Sequence, residues 1–144
     1  MNSDQLAGTW KLVSFEFRAA DGRVFKPFGD EPKGVIIGDK LGNVAAQVMA
    51  SGRKNFASQD VGKATPEEAL AAMSSYVAYF GRASVDEKGG KITTRVIGSL
   101  IPNWTGGDQV RLFKFSGDRL ILSTPPMPLY GATATGVLEW EKIG

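Results

Sequence analysis

The chain has 144 residues, a formal net charge of +2, and neither histidine nor cysteine. This length fits one domain, residues 1–144, with a core of its own. The missing residue types exclude disulfides, imidazole-based triads, and metal sites made of thiolate or imidazole ligands. The small net charge argues against a nucleic-acid groove, so we expect no nucleic-acid partner, no metal and no cofactor.

Neither a targeting segment nor a membrane anchor is apparent in the sequence. Residues 1–5 lack the basic and apolar regions of a signal peptide. The longest apolar runs, such as residues 35–37, are far shorter than the roughly 20 residues of a membrane-spanning helix. We therefore expect a cytoplasmic protein with no membrane partner.

Glycine-rich turns divide most of the chain into short segments. The 18 glycines fall largely in clusters, and the segments between them are rich in Val, Ile, Phe, Trp and Thr, which is typical of antiparallel hairpins. In chain order, this pattern predicts strands over residues 8–18, 23–26, 33–38, 43–49, 77–86, 91–99, 108–116, 119–124 and 134–142.

One segment breaks the strand pattern and predicts a helix. Thr65 and Glu68 have the spacing of a capping box, and Pro66 occupies the first helical position. The alanine-rich residues that follow have a high helix propensity. We expect one short helix over about residues 66–75.

Eight or nine short strands with one helix fit either a sandwich or a closed barrel. Closure removes exposed sheet edges, and turns after nearly every strand favour an up-and-down meander. We therefore predict an all-β fold, a single antiparallel up-and-down barrel of eight to ten strands. A barrel of eight strands encloses either packed side chains or one small ligand.

Several motifs resemble those of one family. Gly8-Thr9-Trp10 is similar to the Gly-x-Trp signature of lipocalins. Further similarity lies in residues 6–14, 79–81, 98–104, 109–111, 117–120 and 123–126. Together these resemble the bacterial and fungal lipocalin-like domain family over about residues 6–142. The resemblance implies an antiparallel barrel with a central cavity, used by similar barrels either to carry hydrophobic molecules or to catalyse cyclisation or isomerisation without a cofactor.

The chain also departs from the pattern of that family. Thr94 stands where relatives often carry a histidine, Ile97 where they often carry an acidic residue, and Gly38 where they often carry a tyrosine. If those groups act as acids or bases in relatives, this chain lacks them at the same positions and cannot use them in that way. The exchanges predict a drier cavity, with Thr94 among the residues that contact a ligand.

Alternation along residues 109–115 predicts which side chains face the cavity. Lys114 suits the outside, so the opposite set faces inward: Gln109, Arg111, Phe113 and Phe115. Arg111 then either anchors a ligand carbonyl, enolate or carboxylate, or fills a structural role by stacking on Trp10 or pairing with an internal carboxylate.

Four other polar or aromatic residues are candidates for the site. Tyr79 is predicted to face inward, as a donor to a ligand oxygen or as a core residue tied to a backbone carbonyl. Gln47 is predicted to face the cavity among small apolar residues, or to be structural. Asn103 and Trp104 follow a strand end, at the cavity mouth or in a structural turn. Arg111 and Tyr79 are the candidate catalytic residues.

Two further features concern the barrel ends. The first and last strands meet in a closed barrel, so we expect Trp10 to stack with Lys142 and Trp140 to help closure. The proline-rich residues 125–130 form either a lid or a simple turn.

Two function classes remain at this stage. In the first class, the cavity binds a small hydrophobic molecule and directs its cofactor-independent cyclisation or isomerisation. The expected substrate is polyketide- or terpenoid-like and belongs to natural product biosynthesis. The alternative is a non-catalytic carrier. A homodimer is compatible with either class.

Overall fold

The computed structural model describes residues 3–129 and 131–144 and is dominated by β-structure. Three short 3-10 helices lie within this described part: Ser3–Gln5 precedes the first strand, and Val61–Lys63 and Pro102–Trp104 lie in connections. The strands and the one α-helix of the same residues are β1 (Gly8–Ala19), β2 (Val24–Phe25), β3 (Lys33–Gly38), β4 (Asn43–Met49), α1 (Pro66–Ser74), β5 (Tyr76–Asp86), β6 (Lys91–Ser99), β7 (Asp108–Ser116), β8 (Arg119–Ser123), β9 (Met127–Leu129) and β10 (Ala132–Lys142).

Antiparallel pairing joins these strands into one sheet, in the order β2-β1-β3-β4-β5-β6-β7-β8-β10-β9. The sheet closes because β1 also pairs with β10, from Trp10 opposite Lys142 to Ala19 opposite Ala134. The short strands β2 and β9 are additions beside β1 and β10. The predicted antiparallel barrel is therefore confirmed, with strand bounds within a few residues of those expected.

The segment 125–130 differs from its prediction as a loop. Met127–Leu129 forms β9 and pairs with residues 132–134 of β10, while residue 130 lies outside the described residues. Pro128 is compatible with this strand because β9 is at the edge of the sheet, where a missing N–H breaks no ladder on the free side.

The helix α1 begins as the capping box predicts. The backbone N–H of Glu68 donates to Thr65 Oγ1 at 3.1 Å, and the backbone N–H of Thr65 donates to Glu68 Oε1 at 2.9 Å. Glu68 also accepts from the backbone N–H of Ala57 at 2.8 Å. These N–H groups, that of Thr65 first, hold the pKa of Glu68 below its usual value. Among the described residues, no helix is long and apolar enough to cross a membrane.

Trp10, at the start of β1, is buried in the core and makes several side-chain contacts. The Trp10 indole N–H donates to the Leu6 carbonyl oxygen at 2.9 Å, and Lys142 Nζ lies 5.6 Å from the centre of the Trp10 ring. The Phe115 ring centre is 6.2 Å from that of Trp10. The predicted cation–π contact between the first and last strands is thus present, and it closes this end of the barrel.

A bulge between β5 and β6 depends on a glycine. The register shifts between Phe80 and Gly81, and a Cβ at Gly81 would overlap the carbonyl oxygen of Arg95. A residue without a side chain therefore lets the two backbones approach here. The bulge adjoins Tyr79, whose position matters for the cavity.

Candidate ligand-binding site

Among the residues that the structure describes, the barrel walls enclose a larger and a smaller cavity that share part of their linings. The larger cavity, of about 730 Å³, lies toward the α1 end, where β4 and β6 finish and β5 and β7 begin. The smaller cavity, of about 310 Å³, lies toward the Trp10 end, where β1 begins and β3 and β10 finish. The residues common to both linings are Ile36, Ala46, Tyr79, Arg111 and Leu122.

The size and chemistry of the larger cavity suit a small organic molecule. Pockets that hold such ligands usually measure about 300–1,000 Å³ and have mostly apolar walls with a few polar groups. The aromatic rings of this wall include Phe15, Phe17, Phe28 and Trp104. Pro125, Pro126 and Met127 also line it, so the proline-rich segment lies beside the cavity.

Arg111 is the candidate polar anchor on the shared wall. Its half-buried guanidinium donates to the Val110 carbonyl oxygen and to Gln109 Oε1, both at 2.9 Å. A guanidinium has five N–H donors, so donors remain for a ligand. In the part of the chain that the structure describes, Arg111 forms no ion pair. It does not stack on Trp10 either, because the cation over the Trp10 ring is that of Lys142. Neither structural role considered from the sequence is formed there.

Tyr79 lies on the same shared wall, held by its register and by an aromatic neighbour. It pairs with Ala46 of β4, and its ring meets the Trp104 ring edge-on, with centres 6.2 Å apart. The described residues offer its hydroxyl no hydrogen-bond partner, so the backbone tie considered from the sequence is not formed among them. The hydroxyl is available to a ligand.

The other predicted residues that reach a cavity are divided between the two. Gln109 and Trp104 line the larger cavity. Thr94 is 5% exposed and lines the smaller one. The structure thus brings Arg111, Tyr79, Gln109 and Trp104 around one space and places Thr94 on the other side of the shared wall.

Gln47 was expected inside and lies outside. It is exposed and accepts a hydrogen bond from the Tyr76 hydroxyl, whereas its neighbours Ala46 and Val48 are buried. Residues 44–49 are mostly small or apolar on both faces of β4, so alternation there does not say which face is buried. Gln47, the polar residue of this segment, lies on the solvent-exposed face.

Asn103, Phe113 and Phe115 line neither cavity in the described structure. Asn103 is exposed because successive side chains of a 3-10 helix point in different directions, and only Trp104 turns inward. Phe113 and Phe115 do face inward, but β7 runs toward the Trp10 end, where they pack into the core instead. Their ring centres are 6.3 Å apart.

Asp39, a carboxylate that lines the smaller cavity, is committed to local structure. Asp39 accepts hydrogen bonds from the Asn43 side chain at 2.7 Å and from the backbone N–H groups of Asn43 and Leu41, both at 2.9 Å. These bonds, that of the Asn43 side chain first, lower the pKa of Asp39 and keep it ionised. Within residues 3–129 and 131–144, no group of three or more acidic, histidine or cysteine residues could hold a metal ion.

Sequence reasoning missed Trp140 as a wall residue of the larger cavity. It was interpreted as part of barrel closure, yet it lines this cavity and is 1% exposed. The signal was present in β10, where Leu138 and Trp140 alternate with Glu139 and Glu141. Alternation puts both apolar residues on the inner face.

Comparison with known proteins gives the family. The model of the lipocalin-like domain matches residues 7–143. A curated relative, the 4'-hydroxy-3'-methoxypropiophenone carrier protein of Aspergillus oryzae, is 35% identical over 107 residues, which are 69% of this chain and 96% of the relative. A crystal structure of a lipocalin-like protein from Bacteroides uniformis has a TM-score of 0.48 at 16% identity, covering 96% of this chain and 99% of that one. The chain belongs to the lipocalin-like domain family.

Proposed function

We propose that this barrel binds a small, mostly apolar molecule that bears an acceptor oxygen, and that it serves as a carrier of that molecule. The observation that supports this most strongly is the position of Arg111. A half-buried cation with unused donors faces a cavity of about 730 Å³ and has no carboxylate partner among the described residues. A buried cation gains most from a partner of its own, and a ligand oxygen is such a partner.

The two parts of the wall have different tasks in this proposal. The aromatic and aliphatic side chains supply affinity by removing apolar ligand surface from water. Arg111, with Gln109 holding one of its N–H groups, fixes the orientation of the ligand through an oxygen. The ligand in the name of the similar Aspergillus protein is an aromatic ketone, a molecule with both an apolar ring and acceptor oxygens.

We prefer a carrier function over proton-transfer catalysis because the acidic side chains that line the cavities are poorly suited to exchanging protons with a ligand. A general acid or base works best when its pKa lies near the working pH. The pKa of Asp39 is shifted the other way by its hydrogen bonds, and Asp39 lines the smaller cavity rather than the larger. Asp108 does line the larger cavity, but its side chain is exposed and lies 3.5 Å from Arg95 in an ion pair. The larger cavity is therefore better suited to holding a molecule than to moving its protons.

A pair of variants on β4 tests the proposal. Ala46 is 6% exposed and lines both cavities. The next residue, Ala45, is on the outer face between the exposed Ile37 and Phe80, its register partners. Ala46→Phe adds a ring inside the barrel, and Ala45→Phe adds the same ring outside. The probe is 6-propionyl-2-(dimethylamino)naphthalene, an environment-sensitive fluorescent ketone, and 4'-hydroxy-3'-methoxypropiophenone competes with it.

The expected result is saturable binding to the wild-type protein, with displacement of the probe by the competitor. Ala46→Phe should weaken binding of the probe at least tenfold because its ring occupies the ligand's space, and Ala45→Phe should bind as the wild type does. Equal binding by both variants would place the probe on the surface and refute the cavity site.

A second function, cofactor-independent cyclisation or isomerisation of a polyketide- or terpenoid-like substrate, is favoured by one observation. Arg111 and Tyr79 share a wall and have donors that the described residues leave unused. Such donors stabilise a developing enolate. The test is exchange of the α-hydrogens of 4'-hydroxy-3'-methoxypropiophenone in heavy water, followed by NMR. Exchange that depends on wild-type protein and falls in Arg111→Met favours catalysis, and exchange at the buffer rate favours the carrier.

A further inference from the structure

The outer surface of β3, β4 and β5, called the β3–β5 face below, is apolar at its centre. A row of side chains crosses the three strands there, with Ile37 of β3 opposite Ala45 of β4 and Ala45 opposite Phe80 of β5. Ile37 is 53% exposed and Phe80 is 52% exposed. Single exposed apolar side chains are ordinary on a protein surface, but a contiguous group on neighbouring strands indicates an interaction site.

The outer face formed by β8 and β10 has a different chemistry. The Arg119 guanidinium on β8 lies 3.8 Å from a carboxylate oxygen of Glu139 and 4.0 Å from one of Glu141, both on β10. By contrast, residues 43–49 of β4 include no charged side chain. The β3–β5 face therefore has the uncharged centre that is typical of a protein interface.

A glycine on the next strand supports the ring of Phe80. Gly98 of β6 pairs with Phe80, and a Cβ at Gly98 would lie 2.6 Å from a carbon of the Phe80 ring. The ring therefore lies against the bare backbone of β6. A ring supported in this way loses less freedom when a partner covers it. The neighbouring Ile97, which is 57% exposed, extends the apolar surface.

We propose that the β3–β5 face binds the same face of a second copy of the chain, about a two-fold axis that runs along β4 above Ala45. Rotation about this axis exchanges the two neighbours of β4, because β3 and β5 lie on opposite sides of it. Ile37 then contacts Phe80 of the second copy, and Phe80 contacts its Ile37. Ala45 lies against its own copy, where a small side chain lets the two sheets approach.

The next row toward the α1 end is complementary under the same rotation. Val35 and Ala78 lie on opposite sides of Gln47, and both are partly exposed in the single chain. Val35 therefore contacts Ala78 of the second copy, which adds a second apolar contact beside the first. The Gln47 amide meets its own copy, and an amide group can both donate and accept.

The row on the other side of the centre supplies charge complementarity. On the β5 side, Arg82 pairs with Asn43. On the β3 side lies Asp39, whose backbone N–H donates to the Asn43 carbonyl oxygen. The rotation places Asp39 opposite Arg82 of the second copy, so opposite charges meet and the three rows oppose no like charges. This match favours a second copy of the chain as the occupant of the face.

Two opposite substitutions at Ala45 test both the face and the axis. Ala45→Lys and Ala45→Glu each put a charge against its own copy, so each variant alone should repel itself. In an equimolar mixture, the ammonium of one variant faces the carboxylate of the other, so association should return. The control is Leu112→Lys, at a 38% exposed apolar position on β7. Sedimentation equilibrium measures the mass, and circular dichroism checks that each variant is folded.

The wild type should have twice the mass of one chain at about 1 mM and the mass of one chain at about 1 μM, because a contact three strands wide is small for a specific interface. Each Ala45 variant should be monomeric, their mixture should dimerise, and Leu112→Lys should behave as the wild type does. A wild type that is monomeric at the higher concentration would overturn the proposal and leave the face to a different protein. A dimer that survives in Ala45→Lys or is lost in Leu112→Lys would also overturn it, and so would a mixture that stays monomeric.

A measurement on the wild-type protein covers the case in which the Ala45 variants do not fold. Backbone amide NMR spectra over a dilution series report which residues sense the second copy. We expect the amide signals of Ile37, Ala45 and Phe80 to shift with concentration and those of Glu139 and Glu141 to stay in place. Equal shifts on the two faces, or no shifts on either, would overturn the proposal.

Discussion

The Trp10 end of the barrel and the wall shared by the two cavities differ in how their polar groups are used. At the Trp10 end, an indole, a lysine and phenylalanines contact one another, and the Trp10 indole N–H has a protein acceptor. On the wall that the two cavities share, the Tyr79 hydroxyl has no hydrogen-bond partner among the described residues, and Arg111 retains unused donors. The Trp10 end is therefore held together by contacts among its own side chains, whereas the shared wall keeps donors that the described residues leave unused.

The largest effect is expected from Trp10→Ala. The change removes a 2% exposed ring, its hydrogen bond to Leu6 and its contact with Lys142, so the free energy of unfolding should fall by about 3–5 kcal/mol, the usual cost of such a truncation. Chemical denaturation measures it. Lys142→Met isolates the cation–π contact and should cost only about 0.5–1 kcal/mol. A loss below 1 kcal/mol in Trp10→Ala would mean that this end is not the structural one.

Arg111→Met should weaken ligand binding and leave the stability of the fold unchanged, whereas Trp10→Ala should mainly lower the stability. An apolar side chain of similar volume removes a half-buried charge without stranding a partner, so folding should be preserved. Ligand affinity should fall by about 1.5–3 kcal/mol, the usual value of a hydrogen bond to a charged group, and Arg111→Lys should recover part of it because the planar fork is lost. A thermal melt and a probe titration provide both numbers.

The control for Arg111→Met is Arg18→Met, which removes an exposed arginine paired with Glu16 on the outer face of β1. It should leave probe binding unchanged. A large drop in melting temperature for Arg111→Met, with normal binding by the protein that stays folded, would move Arg111 to the structural side of the comparison.

A smaller effect is expected at the helix beside the larger cavity. Thr65→Ala removes the side-chain acceptor for the Glu68 backbone N–H and should lower the free energy of unfolding by about 1 kcal/mol. Thr65→Ser keeps the acceptor oxygen and should lose much less. Urea denaturation followed by circular dichroism makes the comparison, and equal losses in the two variants would exclude the cap as the cause.

The smallest effect is a pH dependence at Glu68. Its pKa is lowered in the folded protein from the ordinary 4.5, chiefly by the backbone N–H of Thr65 and then that of Ala57. A lowered pKa means that the stabilisation is fully present above pH 4.5 and is lost as the pH falls through the folded-state value. Urea midpoints measured from pH 7 to pH 3 should therefore decline less steeply in Glu68→Gln than in the wild type. Parallel curves would contradict this.

The sequence predicts the fold better than it predicts the site, for physical reasons. Turn glycines and β-rich segments depend on local chemistry, and the capping box at Thr65 does too, so the strands and helix are close to expectation. Which cavity a residue reaches depends on its height along the strand. Alternation says that Arg111 and Phe115 share a face, but it does not say that β7 passes from cavity to core between them.

Two other residues show where alternation is weakest. Gln47 lies in a strand whose two faces are almost equally apolar, so the buried face could not be chosen from sequence. Trp140 lies in a strand with a clear pattern, yet its lack of a hydrogen-bond acceptor depends on tertiary neighbours that sequence does not reveal. Polar satisfaction is a property of the folded molecule.

A crystal structure of the protein with 6-propionyl-2-(dimethylamino)naphthalene would show directly whether the larger cavity is the ligand site. We predict that the probe occupies the larger cavity, with its carbonyl oxygen about 3 Å from a donor nitrogen of Arg111. A probe bound on the outer face, or a larger cavity filled by the protein's own side chains, would contradict the account.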